Sequence, residues 1–136
     1  VDYLLDTNAC IALINGALPP VRTRFDKALD RGARIHVSSI VAFELWYGVA
    51  KSSRLEWNAK RVEKLFAGPV SLLPFEEEDA RVAGRVRAAL EMSGKLIGPY
   101  DILLAGQALR RELTLITANV KEFRRVKALH WEDWAA

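Results

Sequence analysis

Four short segments that read as strands, at residues 2–5, 35–38, 70–73 and 113–117, are separated by longer segments whose apolar residues recur at helical spacing. A chain that alternates short strands with amphipathic helices has few ways to fold. Each strand–helix–strand unit closes as a right-handed crossover, and successive crossovers build a mainly parallel sheet with helices on both faces. The expected class is α/β: an α/β/α sandwich around a mainly parallel central sheet. Ligands of such sheets bind outside the carboxyl ends of the strands. The residues that follow each apolar run therefore matter most.

Caps and periodicity delimit the helices. Thr7 or Asn8 is the expected cap of a helix over 9–14 that closes at Asn15-Gly16, and Pro19-Pro20 predicts a loop before a helix over 22–31. Ser39 is the expected cap of 40–50, a segment apolar nearly all round and so expected to be buried. Leu55, Ala59, Val62, Leu65 and Phe66 mark the next helix, which Gly68-Pro69 stops. A long helix over 76–92 follows, with an acidic first turn that suits the helix dipole. Pro99 fits the first turn of another helix, where its missing donor does no harm. A short helix over 119–125 and a small strand around 129–131 complete the chain. No repeat, low-complexity tract or linker divides the 136 residues, which predicts one domain over 1–136.

Composition narrows the function classes. With 51% hydrophobic residues and mean hydropathy near zero, the balance is that of a soluble globular chain. No apolar run reaches the roughly 18 residues of a membrane span, and the start lacks the basic and apolar regions of a secretory signal, so the expected location is the cytoplasm without membrane contact. The lone Cys10 excludes an intramolecular disulfide, and no CxxC or Cys/His cluster offers a structural zinc site. Twenty Lys and Arg against seventeen Asp and Glu give a net charge of +3, which permits a polyanionic partner without requiring one.

Three acids interrupt apolar contexts after a strand or near a helix start: Asp6 after YLL, Glu44 in IVAFELWYG and Asp101 in IGPYDILLA. Each has a structural alternative. Asp6 could cap a helix, Asp101 could complement a helix dipole, and Glu44 could be paired with an arginine. Brought together, carboxylates ~4 Å apart would repel by roughly 4 kcal/mol at an effective dielectric of 20. A divalent cation removes that penalty, and oxygen-only ligands favour Mg²⁺ or Mn²⁺ over zinc. Such an ion at a strand-end crevice suits phosphodiester hydrolysis. The segment TANVKEF follows the last long apolar strand, so Thr117, Asn119 and Glu122 are expected at the same edge; a helix-capping turn is the structural alternative.

LLDTNACIALI, SSIVAFELWYGVAKS, IGPYDILLAGQAL and LITANVKEFRRV, in this order and at these distances, resemble the PIN-domain family and, within it, VapC-type toxins of bacterial toxin–antitoxin modules. The resemblance runs to the closing Trp131-Glu132-Asp133-Trp134. It implies a metal-dependent ribonuclease acting on tRNA or ribosomal RNA, restrained by a cognate antitoxin, with a toxin homodimer inside a hetero-oligomer. By position it assigns metal binding to Asp6, Glu44 and Asp101. Many relatives carry an Asp where this chain reads Asn119 and Glu122, so Glu122 fills the fourth acidic position directly or through water. Thr7, Asn8, Ser39, Thr117 and Asn119 are then candidates to orient the carboxylates.

Lys95, Arg110, Arg111, Arg124, Arg125 and Lys127 cluster around the two late motifs and are candidate RNA contacts, with solvated helix faces as the alternative. Phe43, Trp46, Tyr47, Trp57 and Phe66 read by default as core, and otherwise as a surface for a partner helix. His36 and His130 read as structural. A haloacid-dehalogenase-type phosphatase would want a second Asp two residues after Asp6, where Asn8 stands, and a response-regulator receiver would want an acidic pair and a mid-sheet Asp that the chain lacks. A catalytically inactive fold of the same family that only binds RNA or protein stays open.

Overall fold

The computed structural model describes residues 1–136. Strand β1 (Tyr3–Leu5) lies at the centre of one sheet, hydrogen-bonded to β2 (Ile35–Ser38) on one side and β4 (Thr114–Ile116) on the other. Outward from these lie β3 (Ser71–Leu73) and β5 (Trp131–Glu132), giving the order β3-β2-β1-β4-β5 with every pair parallel. Helices α1 (Thr7–Asn15) and α2 (Pro19–Asp30) connect β1 to β2, and α3 (Ser39–Ala50) and α4 (Leu55–Ala67) connect β2 to β3. Then α5 (Glu77–Met92) and α6 (Pro99–Arg111) carry the chain back across the sheet to β4, and the single-turn α7 (Val120–Phe123) leads to β5. The α/β/α class expected from the sequence is the class observed, with the sheet parallel throughout.

This order has a consequence for function. The chain first builds outward from β1 on one side and then on the other, so the direction of winding reverses between β1 and β4. That reversal leaves a crevice at the carboxyl ends of the two strands, where doubly wound sheets bind ligands. Leu5 lies opposite Val37 and Ile116, so Asp6 and Thr117 leave the sheet side by side.

Strands buried on both faces read as continuous apolar runs rather than alternating ones. Leu4, Leu5, Val37 and Leu115 are all fully buried and belong to a core of 33 buried apolar residues. Each large aliphatic side chain in it contributes roughly 1.5–3 kcal/mol relative to exposure. Gly106 allows α6 to touch α5, because a Cβ there would stand 2.6 Å from the Ala83 backbone. Gly16 adopts φ 64° and closes α1 by donating its N–H to the Ala12 carbonyl. No helix is long and apolar enough to cross a membrane.

Several local expectations are corrected. Pro19 and Pro20 open α2 instead of forming a loop, since the first helical positions need no N–H partner. Ser38, not Ser39, caps α3 by accepting the Ile40 N–H at 3.1 Å; the Ser39 hydroxyl accepts the Phe75 N–H at 3.0 Å and ties the exit of β3 to α3. Helix α3 is not buried all round. Only Val41, Leu45 and Val49 are buried, with Ile40 packed against the core, while Phe43, Trp46 and Tyr47 are exposed, as is Trp57 on α4; Phe66 packs against the core. His36 is half-buried in β2, where burial lowers its pKa, and His130 is exposed just ahead of β5.

Candidate active site

The central strand delivers Asp6 to the crevice. Its N–H donates to the Ile116 carbonyl at 3.0 Å, which continues the sheet pairing one residue past β1 and buries the carboxylate. Oδ1 then accepts the Ala9 N–H at 2.8 Å. Asp6 itself, rather than Thr7 or Asn8, is therefore the cap of α1. Thr117, the residue after β4, accepts the Asn119 N–H on its hydroxyl oxygen at 2.9 Å, and that hydroxyl lies beside Asp6, where it favours the charged carboxylate.

The first turn of α1 reaches sideways. Thr7 Oγ1 donates to Glu44 Oε1 at 2.8 Å, linking α1 to the middle of α3. Glu44 is half-buried rather than sealed in the core, and it borders a groove of about 220 Å³ with Ile11, Ile14, Asn15, Gly48 and Arg61. Asp101 occupies the first turn of α6 beside the carboxylate of Glu122, whose Oε2 accepts from Asn119 Nδ2 at 2.9 Å. Asn8 is exposed and joins none of these bonds, and Ser39 serves Phe75 instead of a carboxylate. Asp133 is an acid the sequence reading passed over. It follows β5, whose Glu132 lies opposite Ile116, and its charge acts on Asp6.

Electrostatics separates this edge from the rest of the molecule. Burial first, then the adjacent Glu122 carboxylate, and then Asp6 and Glu44, push the Asp101 carboxyl up to about 6. Asp6 is also raised, chiefly by burial and further by Glu44 and Asp133, against the opposing Ala9 hydrogen bond and the neighbouring Thr117 hydroxyl. None of Asp6, Glu44, Asp101 or Glu122 forms an ion pair with a Lys or Arg; the ion pairs lie on α2 and along α5 and α6. The four acids thus share one negative neighbourhood in which none of them is ion-paired. No three of them are drawn together closely enough to enclose an ion. The donor set is nevertheless that of a hard divalent cation: oxygen only, strongly negative, and partly buried.

The expected RNA cations divide. Arg110 Nε donates to Asp79 Oδ1 at 2.5 Å and its Nη2 to Glu76 Oε1 at 3.0 Å, while Arg111 binds the same Glu76 oxygen. Both arginines sit at the far end of α6 from Asp101 and are committed to holding α5, so neither is a free phosphate ligand. Arg125 donates to the Leu96 carbonyl at 3.1 Å. Lys95, Arg124 and Lys127 stay exposed.

Sheet order, crevice and acids together define a fold that recurs in known proteins. Residues 3–129 match the model of the PIN domain, and the chain belongs to that family. Within it the chain is a homologue of the VapC ribonucleases. It is 38% identical over 135 residues to the tRNA(fMet)-specific endonuclease VapC of Shigella flexneri, covering 99% of each chain. Among solved structures it resembles VapBC2 of Rickettsia felis bound to a DNA fragment from its promoter (TM-score 0.92, 33% identity, 98% of this chain and 99% of that one). DNA-bound VapBC of Salmonella typhimurium is similarly close (TM-score 0.90, 36% identity, 98% of each chain).

Proposed function

We propose that the chain is a Mg²⁺- or Mn²⁺-dependent endoribonuclease and the toxin of a toxin–antitoxin pair. The observation that carries this reading is the set of four acids at the β1/β4 crevice, none of them ion-paired. Charge that a fold leaves uncompensated at its ligand-binding edge is charge that a ligand balances. In this reading Asp6, Glu44 and Asp101 hold the ion, and Glu122 contributes directly or through water. The bound ion supplies a more acidic water and stabilises charge on the phosphate oxygens.

The chain's own part is to aim its carboxylates. Asp6 is held by the Ala9 N–H with the Thr117 hydroxyl beside it, Glu44 by Thr7, and Glu122 by the Asn119 amide. Fixed carboxylates cost little reorganisation when the reaction begins. Transfer RNA is the proposed substrate class, following the activity named for the Shigella flexneri relative. The partner is a cognate antitoxin, as in the VapBC complexes, and exposed Trp46 on α3 and Trp57 on α4 give it apolar area to cover, with a toxin homodimer within the hetero-oligomer.

The second reading is an inactive PIN fold that binds RNA or protein without cutting, favoured by the absence of a closed three-carboxylate cage. Incubating the purified protein with tRNA, with and without EDTA, separates the two. Cleavage that EDTA abolishes and Mg²⁺ restores supports the nuclease; binding without cleavage in either condition supports the inactive module. Gel filtration of the protein alone and with its antitoxin checks the assembly.

A further inference from the structure

Two exposed aromatic rings flank the acids. Phe43 immediately precedes Glu44 on α3, and Tyr100 immediately precedes Asp101 on α6. The rings meet edge to face, with centroids 5.7 Å apart and planes at 68°. They remain 56% and 43% exposed, and neither belongs to the hydrophobic core or packs against it. One turn further along α3, exposed Tyr47 carries the Lys51 ammonium 4.8 Å from its ring centroid. A row of rings ending in a cation therefore leads away from two of the four acids.

The charge pattern says what such a row is for. A polyanion approaching four unpaired carboxylates is repelled, and the two arginines that end α6 are bound to Glu76 and Asp79. Contacts that do not depend on phosphate charge therefore add affinity at this edge. Stacking of a base on an aromatic ring is such a contact, and it tolerates any base because each has a π-face. An edge-to-face pair leaves ring faces open that a parallel stack would cover. We propose that Phe43 and Tyr100 form a base-stacking subsite that seats an unpaired nucleobase beside the phosphate to be cut. Lys51 then meets the backbone at the outer end of the row. A base can reach the rings only when it is out of a duplex, so the subsite restricts the protein to loops and single-stranded RNA.

This inference rests on RNA being the substrate of the acidic site, and the test keeps the two apart. Wild type, Tyr100→Phe, Tyr100→Ala and Phe43→Ala are titrated with a short fluorescein-labelled single-stranded RNA and with its duplex, read by anisotropy, and their cutting of tRNA is followed under single-turnover conditions. Each Ala variant should bind the single strand about tenfold more weakly, within the range of one stacked base. Tyr100→Phe should stay within about twofold of wild type, and duplex binding should be equal for all four proteins. An abasic nucleotide beside the mapped cut should produce the same loss of binding, and that loss should not multiply with Tyr100→Ala. The subsite is overturned if the Ala variants bind the single strand like wild type, if they lose duplex affinity equally, or if they lower the mass of the protein in solution, which would make the rings a contact between two copies. A wild type that binds single strands with the expected ring dependence but cuts nothing overturns the endoribonuclease and keeps the subsite. A wild type that binds no RNA overturns both.

Discussion

The molecule holds two groups of acids and treats them in opposite ways. Asp79 and Asp101 each occupy the third position of a helix, α5 and α6 respectively, and in sequence both look like acids placed to suit a helix dipole. Asp79 is fully buried and fully answered. It accepts the Glu76 N–H at 2.8 Å in a reciprocal capping box and the Arg110 guanidinium on its other oxygen, while Glu76 takes Arg110 and Arg111. This group is a clamp that fastens the start of α5 to the end of α6. Asp101 follows Gly98, which has no side chain to complete a capping box, and its neighbours are Glu122, Asp6 and Glu44. What separates a structural acid cluster from a chemical one here is whether the fold supplies the cations.

Replacing one acid from each group should break function in one case and the fold in the other. Asp6→Asn should reduce tRNA cleavage on the order of 10³-fold, the scale of losing several kcal/mol of ion-supplied stabilisation, with a melting temperature no lower than wild type. An Asp6→Asn protein that cuts at the wild-type rate would refute the assignment. Asp79→Asn should act in reverse. It leaves Arg110 without its buried partner and should cost about 3 kcal/mol, a drop of roughly 10 °C in Tm, with little change in the rate per folded molecule. Urea unfolding beside a cleavage assay on each variant measures both sides.

The sequence makes the acidic edge more legible than the clamp. Asp6, Glu44, Asp101 and Glu122 could be picked out because each breaks an apolar run or follows one, and a parallel sheet gathers all its strand ends on one side. Asp133 escaped because β5 is only two residues long and leaves almost no periodic trace. The double role of Asp6 was hidden by a shift of one residue, since Asp, Thr and Asn are all good caps and only the register of β1 decides among them. Arg110 and Arg111 read as free cations because their partners lie more than 30 positions earlier, in a different helix. The exposure of Phe43, Trp46 and Tyr47 was hidden for a related reason: an all-apolar helix is buried only if something covers it, and that depends on neighbours rather than on the helix itself.

Smaller changes sharpen the same contrast. Thr7→Val removes the hydroxyl that aims Glu44 while keeping the side chain's shape. It should weaken Mg²⁺ or Mn²⁺ affinity about tenfold, read by titrating the ion in the cleavage assay, because partners that orient metal ligands typically contribute on that scale. Unchanged ion affinity would remove Thr7 from the site.

The smallest effect tests the missing cation through stability alone. Asp101 has its pKa raised to about 6 in the folded protein, above its ordinary 3.8, so the folded state holds this proton more tightly than the unfolded state does. Its contribution is therefore full below about pH 4, declines as pH rises towards 6, and is absent above that. Asp101→Asn cannot ionise and escapes the decline. In EDTA at pH 7 the variant should be more stable than wild type by about 1 kcal/mol, a figure reduced for the partial exposure of the carboxyl, and the two should converge near pH 4. Adding Mg²⁺ should raise the Tm of wild type and leave the variant almost unmoved. Asp79→Asn, already answered by two arginines, should show neither the gain in EDTA nor any change in its response to Mg²⁺. If Asp101→Asn instead destabilises the metal-free protein at neutral pH, a cation from the chain itself compensates Asp101, and the acidic edge is a second clamp.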